Sequence, residues 1–302
     1  MDSSAAGPVD HLAVPFASPD ELAARLEPAL RAALAAGDRV LAVLADAERD
    51  AVTARLGAAA ADVEFADPLR VHAVPAFTVA VRWARLAHDA PAGRVLVVGQ
   101  HLELPDRDAE HWPRLDLAID VAIAGLPITV LCACPADDPA TGRTHPRVLT
   151  ADGPQPGPGY RPPPEAVVEY PPPPPPDLGP ADVDLAFGLA DLSAVRRRVA
   201  AAAASAGLSG DPADDLVLAV NELVSNSVEH GPGEGRLRMW AGRGAITAEV
   251  ADRGRMDVPF PGLVRPPPTG VRGRGLWLAS ELTDVLQVWS DDTGTVIRAH
   301  TG

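Results

Sequence analysis

Apolar residues fall into two different patterns along this chain. In the first half they form short unbroken runs: HLAVPFA from His11, RVLAVLA over 39–45, RVLVVG over 94–99 and PITVLCAC over 127–134. Runs of this length predict strands buried on both faces, as in a parallel sheet. Between them apolar positions recur at helical spacing over 19–36, 48–60, 74–88 and 106–124, with one more short strand over 62–65. Strands alternating with helices predict an α/β domain over 1–151, mainly parallel in its sheet and covered by helices on both faces. Residues 1–9 read as a loose tail. The second half, 181–302, reads differently. A strand over 182–188 and helices over 192–206 and 211–230 precede a hairpin (236–241 with 245–251). A long Gly/Pro/Arg loop (253–274), a helix (275–282) and a second hairpin (285–290 with 295–300) complete it. Antiparallel hairpins with segregated helices predict an α+β domain.

Residues 152–180 separate the two halves. Their composition shifts abruptly to proline, with six in succession from Pro171 to Pro176. Such a stretch favours polyproline II and predicts a stiff spacer that builds no core.

The most strongly written element is the helix over 211–230. Asp211 is placed to cap it, Pro212 suits its first position, and Gly231 with Pro232 stops it. Leu216, Val220, Leu223, Val224 and Ser227 share one face, while Glu222, Asn226 and His230 recur every four residues on the other.

Composition narrows the chemistry. A net charge of −15 argues against nucleic acid or an anionic membrane as a direct partner. All 26 basic residues are arginine. Without lysine there is no P-loop lysine and no Schiff base, so phosphate must be met by backbone amides, arginine or metal. No apolar run is long enough for a membrane span and no secretory signal opens the chain, which predicts a cytoplasmic location. Cys132 and Cys134, two apart in a strand, are expected to be buried thiols rather than a disulfide, with no metal ligands assignable beside them. His11 and His72 have no assignable partners. Gln100, His101 and Glu103 follow a strand and are expected in a solvated loop, with a pocket lining as the alternative.

Three elements of the second half carry complementary chemistry. Asn226 offers magnesium a hard oxygen ligand, and Glu222, one turn earlier, is placed as a general base. Asp252, at a strand end, can accept a hydrogen bond from an adenine amine, while Gly254 lets the base approach. Gly273, Arg274, Gly275 and Leu276 open a helix whose backbone amides can face phosphates, with Arg272 and Arg274 adding charge.

With these residues in view, NELVSNSVEHG, ADRG, VRGRGLWLASELTD and the closing GTVIRAH, together with LSAVRRRVAAAAASAGL, resemble the GHKL (Bergerat-type) ATPase fold, a two-layer α+β sandwich. Within it they resemble the RsbW/SpoIIAB-like serine kinase and anti-sigma group. HLAVPF, RVLAVLA, RVLVVGQHLELPDRD and PITVLCACPADD resemble the MEDS sensory domain. The pairing of the two resembles the RsbA type of anti-sigma regulator.

The resemblance implies ATP and Mg²⁺ as cofactors, with Glu222 as catalytic base, Asn226 on Mg²⁺ and Asp252 reading adenine. It implies an alternative sigma factor as the sequestered partner and a STAS-type antagonist as the serine substrate. It extends to a homodimer, which no residue pattern here derives. Met256 stands where the family's glycine box often carries a second glycine. An ATP-gated binding module without kinase activity is therefore the alternative. An atypical sensor histidine kinase is disfavoured, because no helix with a phospho-acceptor histidine precedes the ATPase region.

Overall fold

The computed structural model of the chain describes residues 10–90, 93–105, 107–266 and 273–302. The expected tail over 1–9, and Arg272, lie outside them. The chain divides into two compact units, Met1–Pro171 and Pro172–Gly302.

The first unit holds strands β1 (His11–Phe16), β2 (Arg39–Val43), β3 (Glu64–Ala66), β4 (Val95–Gln100), β5 (Ile128–Pro135), β6 (Arg147–Thr150) and β7 (Gly153–Pro156). They form one sheet in the order β3-β2-β4-β5-β1-β6-β7. Every neighbouring pair is parallel except β6 with β7. Helices α1 (Pro19–Ala36), α2 (Asp46–Leu56), α3 (Pro68–Val71), α4 (Ala76–His88), α5 (His111–Ala122), α6 (Thr141–Thr144) and α7 (Pro163–Ala166) cover it. Leu22, Leu26 and Leu30 of α1 and Val52 and Leu56 of α2 bury against Leu12, Val14, Val40, Ala42, Val98 and Leu131 on one sheet face. The α/β expectation holds.

Several boundaries shift for local reasons. The first helix is as expected: Ser18 Oγ accepts from Glu21 N–H at 3.2 Å, and Gly37 closes it with φ +77°. α4 starts at Ala76 rather than 74, because Pro75 holds the residue before it out of the helical region. α2 stops at Leu56, and the chain tightens into a 3₁₀ turn over Gly57–Asp62. α5 starts at His111 rather than 106, since the Asp108 carboxylate accepts from Glu110 N–H at 3.0 Å in a turn before it.

The expected spacer over 152–180 is corrected in its first part. β7 pairs with β6, Tyr160 donates to Asp120 Oδ2 at 2.8 Å, and Ala166 and Val167 are buried. Prolines hid this, but an edge strand tolerates them because its outward N–H has no partner to lose.

The second unit has strands β8 (Val183–Gly188), β9 (Glu234–Gly242), β10 (Ala245–Asp252), β11 (Val285–Asp291) and β12 (Gly294–Thr301). They form an antiparallel sheet in the order β11-β12-β10-β9-β8. Helices α8 (Leu192–Ala206), α9 (Asp211–Glu229) and α10 (Arg274–Leu282) form the second layer. The core joins Val195 and Val199 of α8, Leu216, Val220, Leu223 and Val224 of α9, and Leu276 and Ala279 of α10 to alternate residues of the sheet, Leu237, Met239, Ile246, Ala248, Val250, Ile297 and Ala299. This is the predicted two-layer α+β sandwich.

One end of α9 differs from the expectation. Asp211 is the first helical residue and makes no cap; Gly210, at φ +64°, holds the capping position. The carboxylate still lies in the first turn, where it complements the helix dipole.

The opposite sheet face is also covered. Glu249 is fully buried there and receives Arg298 Nε–H at 2.6 Å and a second bond from Arg238. Trp289 donates to Pro173 O at 2.6 Å and Trp240 to Gly179 O at 3.1 Å. The proline-rich segment after 172 is thus tied to this sheet rather than standing free as an unattached spacer.

Candidate functional site

α9 brings two groups of expected site residues onto one helix. Near its middle it meets α10. Gly275 lies so close that a Cβ there would sit 3.0 Å from Glu222 Oε2 and 3.6 Å from Glu222 Cβ. Gly275 therefore serves close packing of α10 on Glu222, whatever else its amide does. Gly273 caps α10 with φ +86° and offers no side chain to the helix's first amides. Leu276 buries its side chain in the core, so only its backbone can face a ligand. Arg274 is exposed at the helix mouth.

At the C-terminal end of α9 the chain meets the end of β10. The N–H groups of His230 and Gly231 both donate to Asn226 O, at 2.9 and 3.2 Å. Gly231 comes within reach of Asp252: a Cβ on it would lie 3.3 Å from Asp252 Oδ2. Asp252 Oδ1 accepts from Gly254 N–H at 2.7 Å, which fixes the carboxylate and leaves Oδ2 without a protein hydrogen bond among the described residues. A Cβ on Gly254 would meet Asp252 Oδ1 at 3.0 Å and Gly231 and Pro232 at 3.3 Å. Only glycine fits that cradle without displacement.

Sequence reasoning missed the residues that hold the 252–256 loop. Thr295 Oγ1 donates to Gly254 O at 2.7 Å, Ser290 and Thr295 share a 2.8 Å bond, and Ser290 Oγ accepts from Met256 N–H at 2.8 Å. Met256 packs its side chain against the core. Its place in the glycine box is thus filled by an anchor rather than an open turn. The Asn226 side chain is half-buried and has no protein partner among the described residues. A cleft of about 700 Å³ opens beside Asp252, between β8, the 232–236 turn and Arg253. Of the expected residues it takes in Asp252 alone.

The first unit holds a second concentration of chemistry, which corrects several expectations. Cys132 and Cys134 are both buried and free. Lying two apart on β5, they share one face of the sheet. His11 is fully buried between two partners. Its Nδ1 lies 2.7 Å from Asp120 Oδ1 and its Nε2 3.2 Å from Cys132 Sγ. His101 and Gln100 are buried rather than in a solvated loop: Gln100 Oε1 accepts from Ala45 N–H at 2.7 Å, and His101 stacks on Trp112. Glu103 alone of that group is exposed. His72 is buried among Trp83, Trp112 and His111.

Asp116 and His145, unnoticed in the sequence, complete the group. Asp116 Oδ2 accepts from Thr144 Oγ1 at 2.8 Å, and its Oδ1 lies 3.1 Å from His101 Nε2 and 3.5 Å from His145 Nε2. No local spacing could have flagged these residues, because they come from β1, β4, β5, α5 and the turn after α6.

Electrostatics split the histidines into two classes. Burial lowers the basicity of His11, but Cys132 and Asp120 overcome this and raise it to about 10. Burial would raise the Cys132 thiol, yet His11 beside it holds it well below its usual value. Burial pushes Cys134 up to about 11. His72 and His111 are driven the other way, to about 3 and about 4, by burial and neighbouring positive charge.

Comparison with known proteins adds the following. Residues 185–301 match the family described as histidine kinase-like ATPase domain. Residues 10–142 match the family described as MEDS, methanogen/methylotroph, DcmR sensory domain. No curated protein is significantly similar to the chain. Among solved structures, the RsbU and RsbW domains of Rv1364c from Mycobacterium tuberculosis are similar at 22% identity over 39% of this chain, with a TM-score of 0.29. The match spans 32% of that chain, about a third of its length. Among the described residues no helix is long and apolar enough to cross a membrane. The chain is thus similar to the MEDS sensory domain over residues 10–142 and to the histidine kinase-like ATPase domain over residues 185–301.

Proposed function

We propose that this protein is an anti-sigma regulatory factor of the cytoplasm. It binds Mg-ATP, sequesters an alternative sigma factor and phosphorylates a serine of a STAS-type antagonist, under control of its first domain. The observation that carries this reading is the placement of Glu222 and Asn226 on α9, with Gly275 packed on Glu222 and with Gly231, just past the helix end, beside Asp252 and Gly254.

The residues fit a magnesium-bound adenine nucleotide. Asp252 Oδ2 is the acceptor left over for an adenine amine, because Oδ1 is committed to Gly254. Gly254 packs closely on Gly231 and Pro232 beside that carboxylate, where any side chain would crowd them. The Asn226 carboxamide supplies the oxygen for magnesium. When bound, Mg-ATP supplies the transferable phosphoryl group and neutralises its charge. The protein's part is positioning and electrostatics, so a short set of residues suffices. Glu222 takes the proton from the serine hydroxyl. The uncapped amides at the start of α10 present positive dipole to the phosphates.

Intact-mass spectrometry of a STAS antagonist incubated with the full chain and Mg-ATP tests the kinase. One added phosphate is expected, and Asn226→Ala abolishes it. ATP binding with no phosphate on any encoded antagonist would replace the kinase with an ATP-gated binding module.

A further inference from the structure

The structure assigns a transition-metal site to the interior of the first domain: His11 Nε2, His145 Nε2, Cys132 Sγ and an Asp116 carboxylate oxygen form a four-donor set for a thiophilic divalent cation of the zinc type. The four residues are all buried, and one ligand atom from each lies within 4.8 Å of the others. The nearest of these approaches are 3.2 Å between His11 Nε2 and Cys132 Sγ and 3.5 Å between His145 Nε2 and Asp116 Oδ1. A tetrahedral ion with bonds of about 2.0–2.3 Å holds its donors about 3.3–3.8 Å apart.

The hydrogen bonds around the set say which atoms remain. His11 Nδ1 donates to Asp120 Oδ1, so once a metal displaces the proton it shares with Cys132 its Nε2 presents a lone pair on that side. His145 Nδ1 donates to Thr141 O at 2.9 Å, which leaves its Nε2 in the same state. Asp116 Oδ2 is taken by Thr144, which leaves Oδ1. Both His145 Nε2 and Asp116 Oδ1 are buried without a hydrogen-bond partner, although they lie 3.5 Å apart. They are close in distance but wrong in angle for bonding to each other. His11 Nε2 and Cys132 Sγ share a hydrogen bond, but His145 Nε2 and Asp116 Oδ1 stand buried and unpaired beside them, a deficit that a cation satisfies.

The surrounding groups match metal-site construction. A carboxylate or carbonyl behind each ligating histidine fixes its ring and raises its basicity, here Asp120 behind His11 and Thr141 O behind His145. Tyr160 in turn holds Asp120 Oδ2. A sulfur, two imidazoles and a carboxylate select zinc-like ions over magnesium or calcium, which want oxygen alone. His101, Cys134 and His145 form a smaller overlapping set, but it has three donors and shares His145. An Asp120–His11–Cys132 relay for nucleophilic catalysis is the rival reading. Full burial of His11 and Cys132 opposes it, since a substrate must reach the sulfur.

The test uses the full chain, stripped with a chelator and then titrated with Co²⁺ and, in competition, Zn²⁺. One equivalent of Co²⁺ should bind per chain, with a thiolate-to-cobalt charge-transfer band and the visible bands of tetrahedral cobalt, both erased by Zn²⁺. Cys132→Ser should abolish the charge-transfer band, Cys134→Ser should keep it, and Asp120→Asn should weaken binding by about 10–100-fold. Wild-type chain that is folded by circular dichroism yet shows no charge-transfer band overturns the assignment. So does a band that survives in Cys132→Ser or vanishes only in Cys134→Ser.

Discussion

At the scale of single residues, close approach explains more than charge does. Gly275 is the clearest case. A methyl group there would press on the far end of the Glu222 side chain, which can swing away, so Gly275→Ala should leave stability within about 1 kcal/mol of wild type. Phosphoryl transfer should fall by about 10-fold or more, because the base loses its position while the nucleotide site stays intact. Unchanged transfer in that variant would remove Glu222 from the reaction. His72 offers a test by pH. Its folded pKa of about 3 lies below the ordinary 6.5, so its neutral form is the folded one. Its contribution is complete above pH 6.5 and is lost as pH falls toward 3. His111 behaves alike, with its folded value at about 4. His72 faces His111, His101, Arg107 and Asp116. His11 and His101 are raised, so their stabilisation is already complete below 6.5 and adds no slope there. Denaturation of the full chain between pH 6.5 and 5 should therefore show His72→Phe losing less stability than wild type, by about 1 kcal/mol per pH unit. Parallel pH profiles would contradict this.

At the scale of elements, the outer face of the second sheet is more than a solvated surface. Glu249 on β10 lies between Arg238 on β9 and Arg298 on β12, directly across the ladder from each. Arg298 is also stacked near Trp289 and Trp240, at 5.5 and 5.8 Å from their rings. Removing the carboxylate leaves an arginine charge buried without its partner. Glu249→Ala should cost about 3–5 kcal/mol in chemical denaturation. The exposed pair Arg236 and Asp184, on neighbouring strands, should contribute little, because water screens it. Equal effects from the two would mean that Glu249 is solvated in solution. This network left no trace in the apolar pattern, since its charged and aromatic residues read as an ordinary outward face. Helices were legible where their ends carry strong local signals: Ser18 and Gly37 bound α1, and Pro212 and Gly231 bound α9 to within a residue. β7 was not legible, because proline and glycine at Gly153–Pro156 argue against a strand until an edge partner is known.

At the scale of the whole molecule, each domain's fold was written in the sequence, but its chemistry was written unevenly. Glu222 and Asn226 lie four residues apart on one helix, so local spacing brings them together. Asp252 and Gly275 join them only through the fold, yet their strand-end and helix-mouth positions were readable from pattern. In the first domain the opposite holds. His11, Asp116, Cys132 and His145 are scattered between positions 11 and 145, and each alone resembles an ordinary core or loop residue. Only the doubly covered sheet brings them to one point.

The central claim is that α9, the end of β10 and the mouth of α10 form one adenine-nucleotide site. Calorimetric titration of the full chain with Mg-ATP, for wild type and Asp252→Asn, tests it most directly. One ATP per chain is expected, with affinity about 10–100-fold lower in the variant, because an amide cannot replace the accepting carboxylate without losing a charge-assisted hydrogen bond. Equal affinities, or no binding by the folded wild-type chain, would contradict it.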